Sequence, residues 1–209
     1  MKKPEEIKCI IFDYANTLSS DLYFQSKPIK CPEWRHLFDK YVFADKLWLT
    51  EWCNGRKKTE DIALRIKEYV DLPLNEIIDE MKKGCQNLTF NEAVLNFAKS
   101  QSANGRKTAL VTANIDMFSD TVVQSHNLNE IFDTIVNSAD YGTDDKRKLW
   151  PIAFQLSGNG IDYACSLLID DSEKWIQEFI NMGGSAYKYS DDSAFLSWLS
   201  RNHIQKTTA

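Results

Sequence analysis

No Cys-x-x-Cys pair occurs among the five cysteines (Cys9, Cys31, Cys53, Cys85 and Cys165), and their number is odd. This speaks against a disulfide framework or a thiolate zinc site and fits free thiols in a reducing compartment. No apolar stretch approaches the ~18–20 residues that a membrane span requires. Basic residues are not in excess either. Lys and Arg number 25 against 30 Asp and Glu, and the net charge of −5 gives no footprint for nucleic acid or an anionic membrane. Lys2 and Lys3 are followed at once by Glu5, Glu6 and Lys8, so no signal-peptide core forms. Internal repeats and low-complexity tracts are missing too. These absences predict a soluble, cytoplasmic globular protein that binds neither nucleic acid nor membrane; a monomer or homodimer is expected.

What is present is apolar patterning. The chain has 209 residues, 43% of them hydrophobic, enough to bury a sizeable core as one domain or one domain with an insertion. Short, branched apolar runs bounded by breakers predict buried strands at Ile7 to Phe12, Lys107 to Thr112, Thr134 to Val136 and Cys165 to Ile169, with a weaker one at Ser185 to Tyr189. Helical spacing marks Asn91 to Ser100, Lys148 to Leu156 and Glu173 to Met182, each stopped by glycine. Strands alternating with helices predict an α/β fold, a parallel sheet flanked by helices. The rhythm breaks between Ser19 and Leu88, where apolar spacing is helical throughout. We therefore expect a Rossmann-like core domain (1–18 and 89–209) and a small all-α cap domain (19–88) inserted after the first strand. The cap would sit over the C-terminal edge of the sheet, where open α/β sheets bind ligands.

Polar residues follow each strand. "IIFDYANTL" delivers Asp13 and Thr17, "TALVTAN" delivers Thr112 and Asn114, and "SLLIDDS" delivers Asp170 and Asp171. The helix after the third strand supplies Lys146 and Lys148. In a parallel sheet these groups converge on one rim. Singly, an acid after an apolar run is as readily a helix cap, and a lysine pair a surface charge run. Together, clustered carboxylates, a lysine and hydroxyl donors are what a divalent cation and a phosphoryl group require.

These stretches resemble the haloacid dehalogenase superfamily of aspartate-nucleophile hydrolases over nearly the whole chain. "FDYANTL" resembles its first motif, which implies Asp13 as nucleophile. "LVTAN" resembles the second, with Thr112 as phosphate donor beside Ala113 and Asn114. Lys148-x-x-Pro151-x-x-Phe154 resembles the third, with Lys146 as the rival lysine. "LLIDDS" resembles the fourth, with Asp170 and Asp171 as the acidic metal pair. The resemblance implies a Mg2+ ion held by Asp13, the Ala15 carbonyl, Asp170 and Asp171. It implies a phosphoryl group held by Thr17, Thr112, Ala113, Asn114 and Lys148.

One position departs from the pattern. Phosphatases of this superfamily usually carry Asp two residues after the nucleophile, where this chain has Ala15. Ala15 keeps the carbonyl but lacks the acid that protonates a leaving alcohol and later deprotonates the attacking water. Such general acid–base help is worth ~10²–10⁴-fold. The expectation is a Mg2+-dependent phosphohydrolase of a small phosphorylated metabolite, acting through an aspartyl-phosphate. The alternatives are a carbon–halogen or carbon–phosphorus hydrolase acting on another electrophilic metabolite, and a catalytically impaired binding or regulatory protein. The dehalogenase branch uses no magnesium and has Tyr where this chain has Ala15. The carbon–phosphorus branch shares the Ala but uses a cap lysine.

Overall fold

The computed structural model describes residues 4–26, 28, 30–202 and 204. Five strands are β1 (Cys9–Phe12), β2 (Lys107–Thr112), β3 (Thr134–Asn137), β4 (Ser166–Asp170) and β5 (Ser185–Lys188). They form one parallel sheet in the order β3-β2-β1-β4-β5. The helices are α1 (Trp34–Phe38), α2 (Lys46–Cys53), α3 (Thr59–Lys67), α4 (Leu74–Gln86), α5 (Glu92–Ala103), α6 (Val123–Ser125), α7 (Ser138–Tyr141), α8 (Lys146–Ser157), α9 (Glu173–Asn181) and α10 (Asp192–Arg201). The expected strands are all present, their ends displaced by no more than two residues, the usual uncertainty where a ladder frays. Among the described residues no helix is long and apolar enough to cross a membrane.

Both faces of the sheet are covered, which is why its strands read as continuous apolar runs without alternation. Side chains of one parity (Ile10, Phe12, Leu110, Leu167, Ile169) pack with Val94 and Phe97 of α5 and Phe195 and Leu199 of α10. Those of the other (Cys9, Ile11, Ala109, Val111, Leu168) pack with Leu149, Trp150 and Ala153 of α8 and Ile176 and Phe179 of α9. Central β1 is wholly buried. Its register, Phe12 opposite both Leu110 and Ile169, brings the next residue, Asp13, to the middle of the C-terminal rim.

Between β1 and α5 the chain inserts α1 to α4, and none of the described residues there forms a strand of the sheet. Helix starts only at Trp34, later than the helical spacing from Ser19 implied. Phe24 lies in the left-handed region (φ 60°) and prolines punctuate the approach, so the described residues of 20–33 form turns. Phe24 is nonetheless fully buried, with ring centroids 4.3 Å from Phe38 and 6.1 Å from Trp52. Its backbone lies against Gly84 of α4, where a Cβ would come within 2.8 Å of the Phe24 Cα. The apolar interior of the insert is continuous with the α5 side of the sheet.

Candidate functional site

Parallel strands bring their C-terminal residues to one edge, and three carboxylates meet there. Asp13 follows β1, Asp170 ends β4 and Asp171 comes next; one oxygen from each lies within 4.8 Å of the others. Asp13 and Asp170 are buried, and Asp171 is partly exposed. Backbone bonds set their positions: Asp13 N–H donates to the Ile169 carbonyl at 2.9 Å, and Asp170 Oδ1 accepts from Ser172 N–H at 2.8 Å.

Lys146 joins two of the three. Its Nζ lies 2.7 Å from Asp13 Oδ1 and 2.7 Å from Asp170 Oδ2, with all three side chains buried. The spacing argument had placed Lys148 here, and the structure corrects it. Residues advance ~100° around an α-helix, so two positions separate these lysines by more than half a turn. Lys146 is in phase with the buried stripe Leu149, Trp150, Ala153 and Phe154, whereas Lys148 is exposed. Asp145 caps the helix through Arg147 N–H, which fixes where that stripe begins.

The electrostatics follow from this geometry. Burial pushes the Asp13 carboxyl up to about 7, and the neighbouring Asp170 charge pushes the same way against the pull of Lys146. For Lys146 burial favours the neutral amine, but the two carboxylates outweigh it and hold the ammonium above its usual value. With all three acids ionised the cluster keeps two negative charges in excess, which is the charge of a divalent cation. Oxygen donors at this spacing suit a hard ion such as Mg2+.

Two hydroxyls face the same problem from the other side. Thr17 Oγ1 and Thr112 Oγ1 are buried and have no hydrogen-bond partner. An unmade bond on a buried hydroxyl costs ~1–3 kcal/mol, and these two follow β1 and end β2, the strands whose ends carry the site. The Asn114 side chain is committed elsewhere: Nδ2 donates to Tyr23 Oη at 3.0 Å and Oδ1 accepts from Ile115 N–H. Ala113 is partly exposed. Ala15 is exposed, pairs with Ser19 in a single bridge, and precedes Asn16 in the left-handed region (φ 55°).

The loop from Trp52 to Thr59 of the insert closes on the ends of β2 and β3. Ser138 Oγ donates to the Cys53 carbonyl at 2.5 Å, and the space at Gly55 is filled by the Ala139 carbonyl, 2.1 Å from where a Cβ would stand. Asn54 is buried with its Oδ1 unpartnered. Asp116, just beyond Asn114, accepts from Trp52 and Thr59. Sequence reading missed Asp116 and Ser138. Their one signal was a polar residue in an otherwise apolar run ("NIDMF") and a serine right after a strand.

No protein-family model and no curated protein matches the chain. Solved structures do. A predicted haloacid dehalogenase-like family hydrolase from Porphyromonas gingivalis superposes with a TM-score of 0.67 at 14% identity, over 97% of this chain and 100% of its own. A family enzyme from Bacteroides thetaiotaomicron, in complex with magnesium and inorganic phosphate, gives 0.63 at 15% identity, over 88% of this chain and 94% of its own. The chain has the haloacid dehalogenase-like fold. L-2-haloacid dehalogenase from Xanthobacter autotrophicus, with chloropropionic acid covalently bound, shares that fold (TM-score 0.61, 13% identity, 95% of this chain and 84% of its own). Within the haloacid dehalogenase-like fold of this chain, the helical insert lies between β1 and β2 and the acidic cluster lies on the C-terminal rim.

Proposed function

We propose that the rim is the active site of a Mg2+-dependent phosphohydrolase acting on a small phosphorylated metabolite. The observation that carries this reading is the meeting of Asp13, Asp170 and Asp171 oxygens within 4.8 Å, with Lys146 bridging two of them. Asp13, Asp170, Asp171 and the Ala15 carbonyl are the ligand set for Mg2+, which when bound supplies positive charge to offset the carboxylates and the phosphoryl oxygens. Asp13 Oδ attacks phosphorus in line with the leaving oxygen, giving an aspartyl-phosphate that water then cleaves. Lys146, and not the expected Lys148, is the lysine at the rim, where it holds Asp13 in place and offsets its charge. Thr17 and Thr112 hydroxyls donate to phosphoryl oxygens, which satisfies the two unpartnered atoms.

Ala15 decides the substrate range. No carboxyl stands at that position to protonate a leaving alcohol, so good leaving groups (aryl or acyl phosphates) react best. The enclosing unit is the insert, which we read as a separate cap (19–88) on a core of 1–18 and 89–209. A second reading, carbon–halogen hydrolysis, is favoured by the same alanine, because halide leaves without a proton. The acidic cluster weighs against it, since three carboxylates against one lysine leave an excess of negative charge that wants a cation. The carbon–phosphorus alternative needs an insert lysine. Lys57 is instead over the Trp48 ring at 4.0 Å and Lys58 is exposed. A screen of acyl, aryl and alkyl phosphates and 2-haloacids, with and without Mg2+, in wild type and Asp13→Asn, separates these readings. Metal-dependent phosphate release that Asp13→Asn abolishes supports ours; metal-independent halide release overturns it.

A further inference from the structure

Asp116 is a buried carboxylate that the rim chemistry leaves unused. It is 6% exposed, and its recorded partners are all neutral donors. Oδ1 accepts from Trp52 Nε1 at 2.7 Å, Thr59 Oγ1 at 2.8 Å and its own neighbour Met117 N–H at 2.9 Å, and Oδ2 accepts from Thr59 N–H at 2.9 Å. Three of these four donors come from the insert, so the sheet side alone cannot satisfy the charge. A buried charge without a counter-ion persists only where hydrogen bonds converge on it. Thr59 is also the first residue of α3, so a side chain following β2 caps a helix of the insert and meets the positive end of its dipole. Four and six residues back from Thr59, Gly55 and Cys53 are gripped by Ala139 and Ser138.

We propose that Asp116 is a positioning residue that latches the loop from Trp52 to Thr59 of the insert onto the C-terminal rim, holding Asn54 against the ends of β2 and β3. The latch sets how tightly the insert encloses a bound substrate; it takes no part in bond making. Its consequence for kinetics rests on the phosphohydrolase reading, but its existence does not.

Thr59 N–H has Asp116 as its recorded partner, so its hydrogen exchange reads the latch directly. In the unliganded protein, Asp116→Ala should speed exchange at Thr59 by about tenfold or more, the loss of a charged hydrogen bond, while amides of β1, β2 and β4 keep wild-type rates. Trp52→Phe keeps the ring and removes one donor, and should speed Thr59 exchange less. Combined with Asp116→Ala it should add nothing further. Where para-nitrophenyl phosphate with Mg2+ is turned over, Asp116→Ala should raise KM about tenfold at a kcat within about twofold, a loss of binding and not of chemistry. Unchanged Thr59 exchange, or a rise shared equally by the sheet, overturns the latch, as does a fall in kcat at unchanged KM. Should Asp116→Ala not fold, Trp52→Phe and Thr59→Ala are judged by the same exchange criterion. Absence of turnover in every protein overturns the phosphohydrolase reading and leaves the exchange result to decide the latch.

Discussion

Replacing Lys146 by Met removes the cation that bridges Asp13 and Asp170, and the structure sets the size of the effect. Both contacts are 2.7 Å long and all three side chains are at least nine-tenths buried, so little solvent screening discounts them. Removing one member of a buried ion pair costs about 3–5 kcal/mol, because the charge left behind is uncompensated. For a chain of this length that corresponds to a fall in melting temperature of about 6–20 °C. The loss should be larger at pH 8 than at pH 5.5. Burial raises Asp13 to about 7, so at the lower pH it sheds its charge by taking a proton. Lys148→Met is the matched control. Lys148 is exposed on the opposite side of α8, and an exposed substitution lies within about 0.5 kcal/mol, or about 2 °C. Thermal denaturation by circular dichroism at the two pH values reads all four cases. Equal losses for the two variants, or a larger one for Lys148→Met, would refute the assignment of the buried lysine.

Further outcomes follow from the same geometry. Asp13 binds its proton more tightly folded (about 7) than unfolded (~3.9), so in the metal-free protein its contribution to stability is complete below ~pH 4 and is lost as pH rises through 7. Mg2+ should therefore raise the melting temperature more at pH 8 than at pH 5.5, and Asp171→Asn should shrink that rise; equal shifts at both pH values contradict the metal site. Ala15→Asp should raise turnover of an alkyl phosphate at least about tenfold more than that of para-nitrophenyl phosphate, whose phenolate leaves unaided. A uniform gain on both substrates argues against the proton-step account. Gly84→Ala would put a Cβ within 2.8 Å of the Phe24 Cα and should cost about 1–3 kcal/mol, seen as a fall in melting temperature of about 2–12 °C. No change in melting would mean the approach to the insert is not packed as described.

The parallel sheet was legible because both of its faces are buried: the strands carry the unbroken apolar runs "CIIF", "ALV" and "LLI". The acids at their ends were legible for the same reason, since strand direction alone brings Asp13, Asp170 and Asp171 together. Lys146 against Lys148 was decided by helix phase. A spacing measured to Pro151 and Phe154 favoured one lysine, while the stripe of Leu149, Trp150 and Ala153 selects the other. That stripe was present in the sequence, but its start depended on the Asp145 cap, a local bond that apolar periodicity does not report. Asp116 was illegible because its partners, Trp52 and Thr59, lie 64 and 57 residues away, and only the folded insert shows them converging. The turns before Trp34 were hidden by the helical spacing that follows them.

The account turns on Asp13 becoming phosphorylated. Rapid quench of wild-type protein with para-nitrophenyl phosphate and Mg2+, followed by mass analysis of the peptide that carries Asp13, tests this most directly. Without a carboxyl at Ala15 to activate water, the second half-reaction should lag the first, so the intermediate should accumulate. The prediction is a burst of para-nitrophenolate with one phosphoryl group on Asp13, absent without Mg2+ and absent in Asp13→Asn. Steady metal-dependent release of phosphate with no phosphorylated Asp13 at any quench time, or with the group on another residue, would contradict it.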